Sequence, residues 1–302
     1  MGKYFYQFCL ILTAFLLFLF PEQCVAGAKN GLLLWSGTIV PTLLPFFLLT
    51  NLMMKYQTVH YISYLFYPLF KLFPWLNKDL AYTILMGFLC GYPLGGKIIS
   101  DLVLSGSYTK KEGESLLVLC NNVSPMFSIG FTLTLILKGT LSVPLYFFCL
   151  YMPNLLYFIF ILWKFRGTGF LHVHQEHPRT AAIKSFDEIV FDSLKTIFTI
   201  GIFIMVFSIV SSLLQSGILP SYITAPVIGM LEITTGISHV SFLSLGFRQK
   251  AAAILAVSSF GGLCSLAQVK SVCQKSQLSM KSYFIFKMLF ACISSGMLFI
   301  FL

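Results

Sequence analysis

A stretch reading Gly91-Tyr92-Pro93-Leu94-Gly95-Gly96-Lys97 interrupts an otherwise apolar run. Inside hydrocarbon every backbone N–H and C=O needs a partner, so such a break is tolerated only where protein or a water-filled cavity surrounds it. The helix that restarts beyond it presents free N–H groups carrying about half a positive charge. An anion fits at such an end. Lys97 adds a full charge, at a cost of about 2.5–3.5 kcal/mol at mid-membrane depth. That cost argues for a role with a solute over a plain Lys97–Asp101 pair or a side chain reaching back to the interface. In a second break, Asn121-Asn122-Val123-Ser124-Pro125, Ser124 is a good N-cap and Pro125 suits the first helical position, so a new half-helix starts there. Adjacent Asn121 and Asn122 in an apolar run need partners: a solute, or only the broken backbone. A third break at Gly261-Gly262 lacks proline, with Gln268 just beyond it. Glu232, in Met230-Leu231-Glu232-Ile233-Thr234-Thr235-Gly236, is the one acid well inside the second half's apolar region. It is open to pairing with Lys97, carrying a proton, bonding exposed backbone N–H groups, or simply capping a helix. The candidate solute-binding set is therefore Gly91, Tyr92, Pro93, Gly95, Gly96, Lys97, Asn121, Asn122, Ser124, Pro125, Glu232, Gly261, Gly262 and Gln268.

Other constellations carry less. His172, His174 and His177 have spacing that suits a metal, but they sit in a polar connector beside Pro178 and Arg179, where a solvated loop is the plainer reading. No HExxH, GxSxG or phosphate-binding glycine loop is present. Ser124 and Lys97 lack the spacing of a Ser/Lys hydrolase. No catalytic residue, metal or cofactor is expected, and with no nucleotide-binding motif any driving force is an ion gradient or the solute's own. The eight cysteines lie mostly within apolar runs and form no CxxC pair, so they read as small hydrophobes.

The elements that must hold these breaks are transmembrane helices. Of 302 residues 57% are hydrophobic and only 10% charged, against about 25% charged in soluble domains. That excludes a soluble enzyme, a disordered regulator and a nucleic-acid-binding module. Long unbroken apolar runs exclude a transmembrane β-barrel. At roughly 20 residues per span the chain supplies about seven to nine membrane segments. The net charge of +10 comes from Lys and Arg between apolar runs, where they meet anionic headgroups and set orientation; attraction of an anionic solute is its secondary meaning. The fold class is all-α, a polytopic bundle with two related halves and Gly/Pro-broken, re-entrant helices.

Residues 1–30 hold a first helix and connector, with a signal peptide ending at Ala26-Gly27-Ala28 as the competing reading. The first half, 31–163, opens with a span at Gly31–Met54 kinked by Pro41 and Pro45, then a short interfacial or re-entrant segment at Val59–Leu76. The polar connector is 164–188. The second half, 189–302, has spans at Ser193–Gln215 and Ser282–Leu302 around a short Pro/Gly segment at Ile218–Ile237 and the third break. At a constant offset of 171 positions Gly91 meets Gly262, Ser100 meets Ser271, Ser105 meets Ser276 and Lys110 meets Lys281. Paired interrupted segments in two halves point to a transporter site at a repeat interface.

The motifs GYPLGGK at 91–97, CNNVSPMFSIG at 120–130, EITTG at 232–236 and FGGLCSLAQ at 260–268, with Trp35 and Pro41–Phe46, resemble the sporulation integral membrane protein YlbJ (SpoVV) family. The similarity runs from about residue 30 to 295. That family belongs with the nucleoside-recognition (Gate) membrane domains, which resemble parts of concentrative nucleoside transporters and ferrous iron transport proteins. The resemblance implies a protein of the mother cell in the outer forespore membrane that moves dipicolinic acid toward the spore, and so serves cortex formation and maturation. Dipicolinate is a small planar dianion, which suits half-helix N-termini with Lys97, hydrogen bonds from Asn121, Asn122 and Gln268, and stacking on Tyr92. The expected partners are that anion and the bilayer, with no nucleic acid, and a homo-oligomer is open. The alternatives are a nucleoside-like small-solute permease and a non-transporting scaffold for sporulation.

Overall fold

The computed structural model describes residues 11, 15, 17–56, 58, 84–85, 87–89, 91–164, 185–215 and 221–302. Regular structure among them is helical throughout. The bounded α-helices among the described residues are, in chain order, α1 Pro21–Leu34, α2 Val40–Lys55, α3 Leu94–Leu104, α4 Lys110–Cys120, α5 Pro125–Phe127, α6 Val143–Lys164, α7 Phe186–Gln215, α8 Ser221–Leu231, α9 Ile233–Phe242, α10 Phe247–Phe260, α11 Gly262–Val272 and α12 Met280–Phe301. A π-helical turn, Trp35–Ile39, joins α1 to α2, and a π-helical arm, Ser128–Ile136, continues α5. Most of the first apolar run, Val59–Leu76, the connector at 165–184 and its three histidines fall outside the described residues.

Five stretches among the described residues are long and apolar enough to cross a bilayer: Lys110–Ile136, Val143–Lys164, Phe186–Gln215, Phe247–Val272 and Met280–Phe301. A sixth arises if Pro21–Ile39 and Leu43–Met53 count as one span bent by 52°. The bend falls where Pro41 and Pro45 stand, since proline removes a backbone bond and crowds the preceding turn. Helix begins at Pro21 rather than Gly31, because proline is pre-set for a first helical position. The short segment expected at Ile218–Ile237 is instead two helices, α8 and α9, parted at Glu232. That is a fourth break, made by the acid for which capping a helix is one of the roles the sequence leaves open.

Helix α7 packs along α1 and α2. Gly27 and Gly31 bring the backbones together: a Cβ on Gly27 would stand 2.7 Å from Ile209 Cα, and one on Gly31 2.8 Å from Met205 Cα. Small residues four apart permit that approach in membranes. Trp35 closes the seam by donating from its indole nitrogen to Ile197 O at 2.9 Å. On the other side two hairpins face each other, with α3 against α11 and α4 against α12. They are the hairpins that the offset of 171 aligns. Helix α4 starts with a capping box between Thr109 and Glu112, α12 with Ser279, and Ser100 donates to Ser276 at 2.9 Å between the hairpins. Helix α12 also lies along α10 and α6.

Candidate functional site

The second break runs extended from Asn121 to Ser124 between α4 and α5. Ser124 caps the restarting helix, accepting from Phe127 N at 3.3 Å. Asn121 accepts from Gly96 N at 3.3 Å through its side-chain oxygen and donates to the Tyr283 hydroxyl at 2.9 Å. That hydroxyl donates in turn to the Asn121 carbonyl at 3.2 Å. The Asn122 carbonyl accepts from Tyr92 N at 3.0 Å, its side-chain amide donates to Leu119 O at 2.6 Å, and its side-chain oxygen accepts from Lys287 Nζ. Tyr151 donates to Val123 O at 2.9 Å. Both asparagines thus serve the broken backbone, whose groups need protein partners inside a bilayer.

The first break fits against the second through glycine. Gly91 has φ of +66°, and a Cβ there would lie 2.7 Å from Asn122 O. A Cβ on Gly95 would run into the Cys120 carbonyl oxygen. No other residue type allows these approaches. The same contacts use up the amides that the sequence suggests for an anion: Gly95 N bonds Gly91 O at 3.0 Å, Lys97 N bonds Pro93 O at 3.1 Å, and Gly96 N is held by Asn121.

The third and fourth breaks also touch. Helix α10 ends on Gly261 in left-handed conformation, and α11 starts at Gly262 with no side-chain cap. A Cβ on Gly262 would stand 3.1 Å from Glu232 Cα. Glu232 is 1% exposed. Its carboxylate caps α9, accepting from Thr234 N at 3.1 Å, Thr235 N at 2.7 Å, the Thr235 hydroxyl at 2.9 Å and the Thr234 hydroxyl. Of the roles open to Glu232, backbone capping is the one the structure displays. The Tyr92 ring links the pairs: a Cβ on Gly261 would be 3.1 Å from Tyr92 Cε1. All four breaks meet.

Between them lies a partly open cavity of about 40 Å³, room for a few waters, so a larger solute enters only if the walls part. One wall is apolar, from Ile39, Leu43, Ile200 and Ile204; the other carries Tyr92, Ser124, Glu232, Thr234, Ser265 and Gln268. The uncapped first turn of α11 faces it through Gly261, Cys264 and Ser265. Of the candidate set, Tyr92, Ser124, Glu232, Gly261 and Gln268 line the cavity. Asn121 and Asn122 stand behind its wall. Pro93, Gly95 and Gly96 are buried at the start of α3, where a Cβ on Gly96 would be 3.2 Å from Val269. Gly91 and Gly262 pack break on break, and half-buried Pro125 opens α5. Lys97 is half-buried on the first turn of α3 and is not among the lining residues.

Two residues escaped the sequence reading. Tyr283 and Lys287 on α12 are each 2% exposed and hold the two asparagines. The signal for Lys287 was present, because a lone lysine inside the run Tyr283–Ile300 carries the same insertion cost that singled out Lys97. Among the described residues no group of three or more His, Cys, Asp or Glu could hold a metal ion.

The chain is similar to the sporulation integral membrane protein YlbJ of Bacillus subtilis (strain 168), 24% identical over 323 aligned positions covering 93% of this chain and 79% of that one. No family profile matches the chain, and no solved structure does.

Proposed function

We propose, with the chain assigned to the YlbJ family on that likeness, that it is a transporter of a small aromatic dicarboxylate, dipicolinate, acting in the outer forespore membrane of a sporulating cell. An integral membrane protein with a role in sporulation is the coarser statement that the likeness and the apolar helices support. The observation that carries the finer one is the meeting of four helix breaks around one amphipathic cavity. With the walls parted, a planar ring would lie between the apolar wall and Tyr92. Its carboxylates find donors in the uncapped turn of α11 and in the second N–H of Gln268, where backbone N–H groups favour negative charge. The chain supplies binding and passage and no bond-making step.

A specific observation favours a second reading. The cavity is lined by Gln268 and Glu232 and not by Lys97, which suits a neutral, nucleoside-like solute. Uptake into proteoliposomes separates the two. Dipicolinate uptake that falls roughly tenfold or more in Gln268→Ala, as expected when about 1.4 kcal/mol of binding is lost, and that excess uridine leaves unchanged, supports the anion. Uridine entering while dipicolinate does not would establish the second reading, and no uptake of either would leave the scaffold.

A further inference from the structure

Lys287 lies within the 22-residue span α12 and is 2% exposed. Its partners are neutral: the Asn122 side-chain oxygen accepts from Nζ, and the rings of Tyr283 and Phe290 have centroids 5.6 Å and 5.9 Å from it. An ammonium has three N–H donors. Here one meets an oxygen, and the rings supply only the weaker cation–π attraction. Among the described residues no carboxylate pairs with it. The titratable groups on the elements packed against α12 are few. Helix α4 brings Cys120, with Lys110, Lys111, Glu112 and Glu114 at its far end; α6 brings Tyr157, against Phe286 and Phe290. Helix α10 carries only Arg248 and Lys250, and Arg248 bonds Phe299 O, three turns away. Helix α11 carries Cys264 and exposed Lys270, followed by Cys273. On α12 itself the neighbour is Tyr283.

The site is nonetheless wired to the cavity. Asn122, which holds Lys287, is followed by Val123 and Ser124, and its carbonyl takes the N–H of Tyr92; all three line the cavity. A charge in such surroundings is costly alone and favourable once an opposite charge arrives, because attraction grows as the dielectric falls. Glu232 does not share this condition, since its carboxylate already has four donors.

We propose that Lys287 couples solute passage to a proton: its amine takes up one proton as an anion enters the cavity and gives it up as the anion leaves. This rests on the transport reading above. An aqueous proton adds to the Nζ lone pair on the loading side, forming the ammonium, and returns to water on the unloading side; no other bond changes. Linkage makes the effect reciprocal, so acid on the loading side tightens anion binding as much as the anion tightens proton binding.

The test is dipicolinate accumulation in proteoliposomes of the full chain under an imposed pH gradient, with counterflow exchange measured at equal pH. One proton per solute raises the wild-type accumulation ratio roughly tenfold per pH unit. Lys287→Met is expected to keep exchange and lose that response. Lys287→Arg, which holds its proton throughout, is expected to behave likewise and decides the matter if Lys287→Met does not fold. Wild-type accumulation indifferent to the gradient, with exchange intact, overturns the coupling and leaves transport standing, as does a gradient response retained in both variants. Absence of exchange in wild type overturns transport and the coupling with it.

Discussion

The broken spans and the intact ones are different kinds of helix. In the two broken spans, Lys110–Ile136 and Phe247–Val272, 78% and 67% of the most apolar stretch is buried inside the protein; in the intact Val143–Lys164, Phe186–Gln215 and Met280–Phe301 the shares are 39%, 33% and 28%. The broken helices are inner elements, ringed by intact helices whose outer faces present Phe160, Phe198, Ile202 and Ile285 to lipid. The physical reason is the backbone. An intact helix satisfies its own N–H and C=O groups and tolerates lipid, whereas a broken one needs donors and acceptors from its neighbours. Helix α12 shows how the outer layer provides them, because its inward face delivers Tyr283 to Asn121 and Lys287 to Asn122.

Substitutions that exchange the two environments test the contrast. The largest effect is expected at Gly95→Ala, where the new methyl meets a backbone carbonyl that cannot swing away; a loss of about 3 kcal/mol, the upper end of overpacking costs, should show as a lowered melting temperature in detergent. Gly296→Ala on α12 meets nothing within 4 Å and should be neutral or gain up to about 1 kcal/mol. Equal losses at the two glycines would erase the distinction between inner and outer helices. Next comes Tyr283→Phe, which takes the hydroxyl from the Asn121 side-chain N–H and from the Asn121 carbonyl. The expected cost is about 1–3 kcal/mol, read in the same melts. Glu232→Gln weakens the cap of α9 and should cost about 1 kcal/mol, with hydrogen exchange rising first at Thr234 and Thr235. Smallest is Ile285→Ala, on a side chain 62% exposed. A melting shift outside the equivalent of about 0.5 kcal/mol would mean that this face is covered by protein.

The three Gly, Pro and Asn interruptions were legible because residues that stop helices stand out against apolar runs, and the Ser124-Pro125 start was legible from capping chemistry. The fourth was legible only as one of several roles open to Glu232, because a lone acid in an apolar run suits an ion pair or a proton site as well as a cap. Lys97 drew attention by standing beside a glycine pair, yet it is only partly buried and does not line the cavity. Lys287 lies in an unbroken run with no punctuation near it. Which of two lysines faces the interior depends on how α12 is rotated against α4, a long-range matter that local spacing does not encode. The same holds for the asparagines: their need for partners was evident, but that Tyr283 and Lys287, more than 160 positions away, would meet it was not.

The contact of Gly27 and Gly31 with α7 has a mechanical corollary. Helices joined backbone to backbone, and pinned again by Trp35, cannot slide past one another without losing that fit. Ile39, Ile200 and Ile204 therefore belong to one stiff panel. A gate on this flank of the chamber has to swing as a two-helix door, with its hinge outside the seam between Gly27 and Ile209.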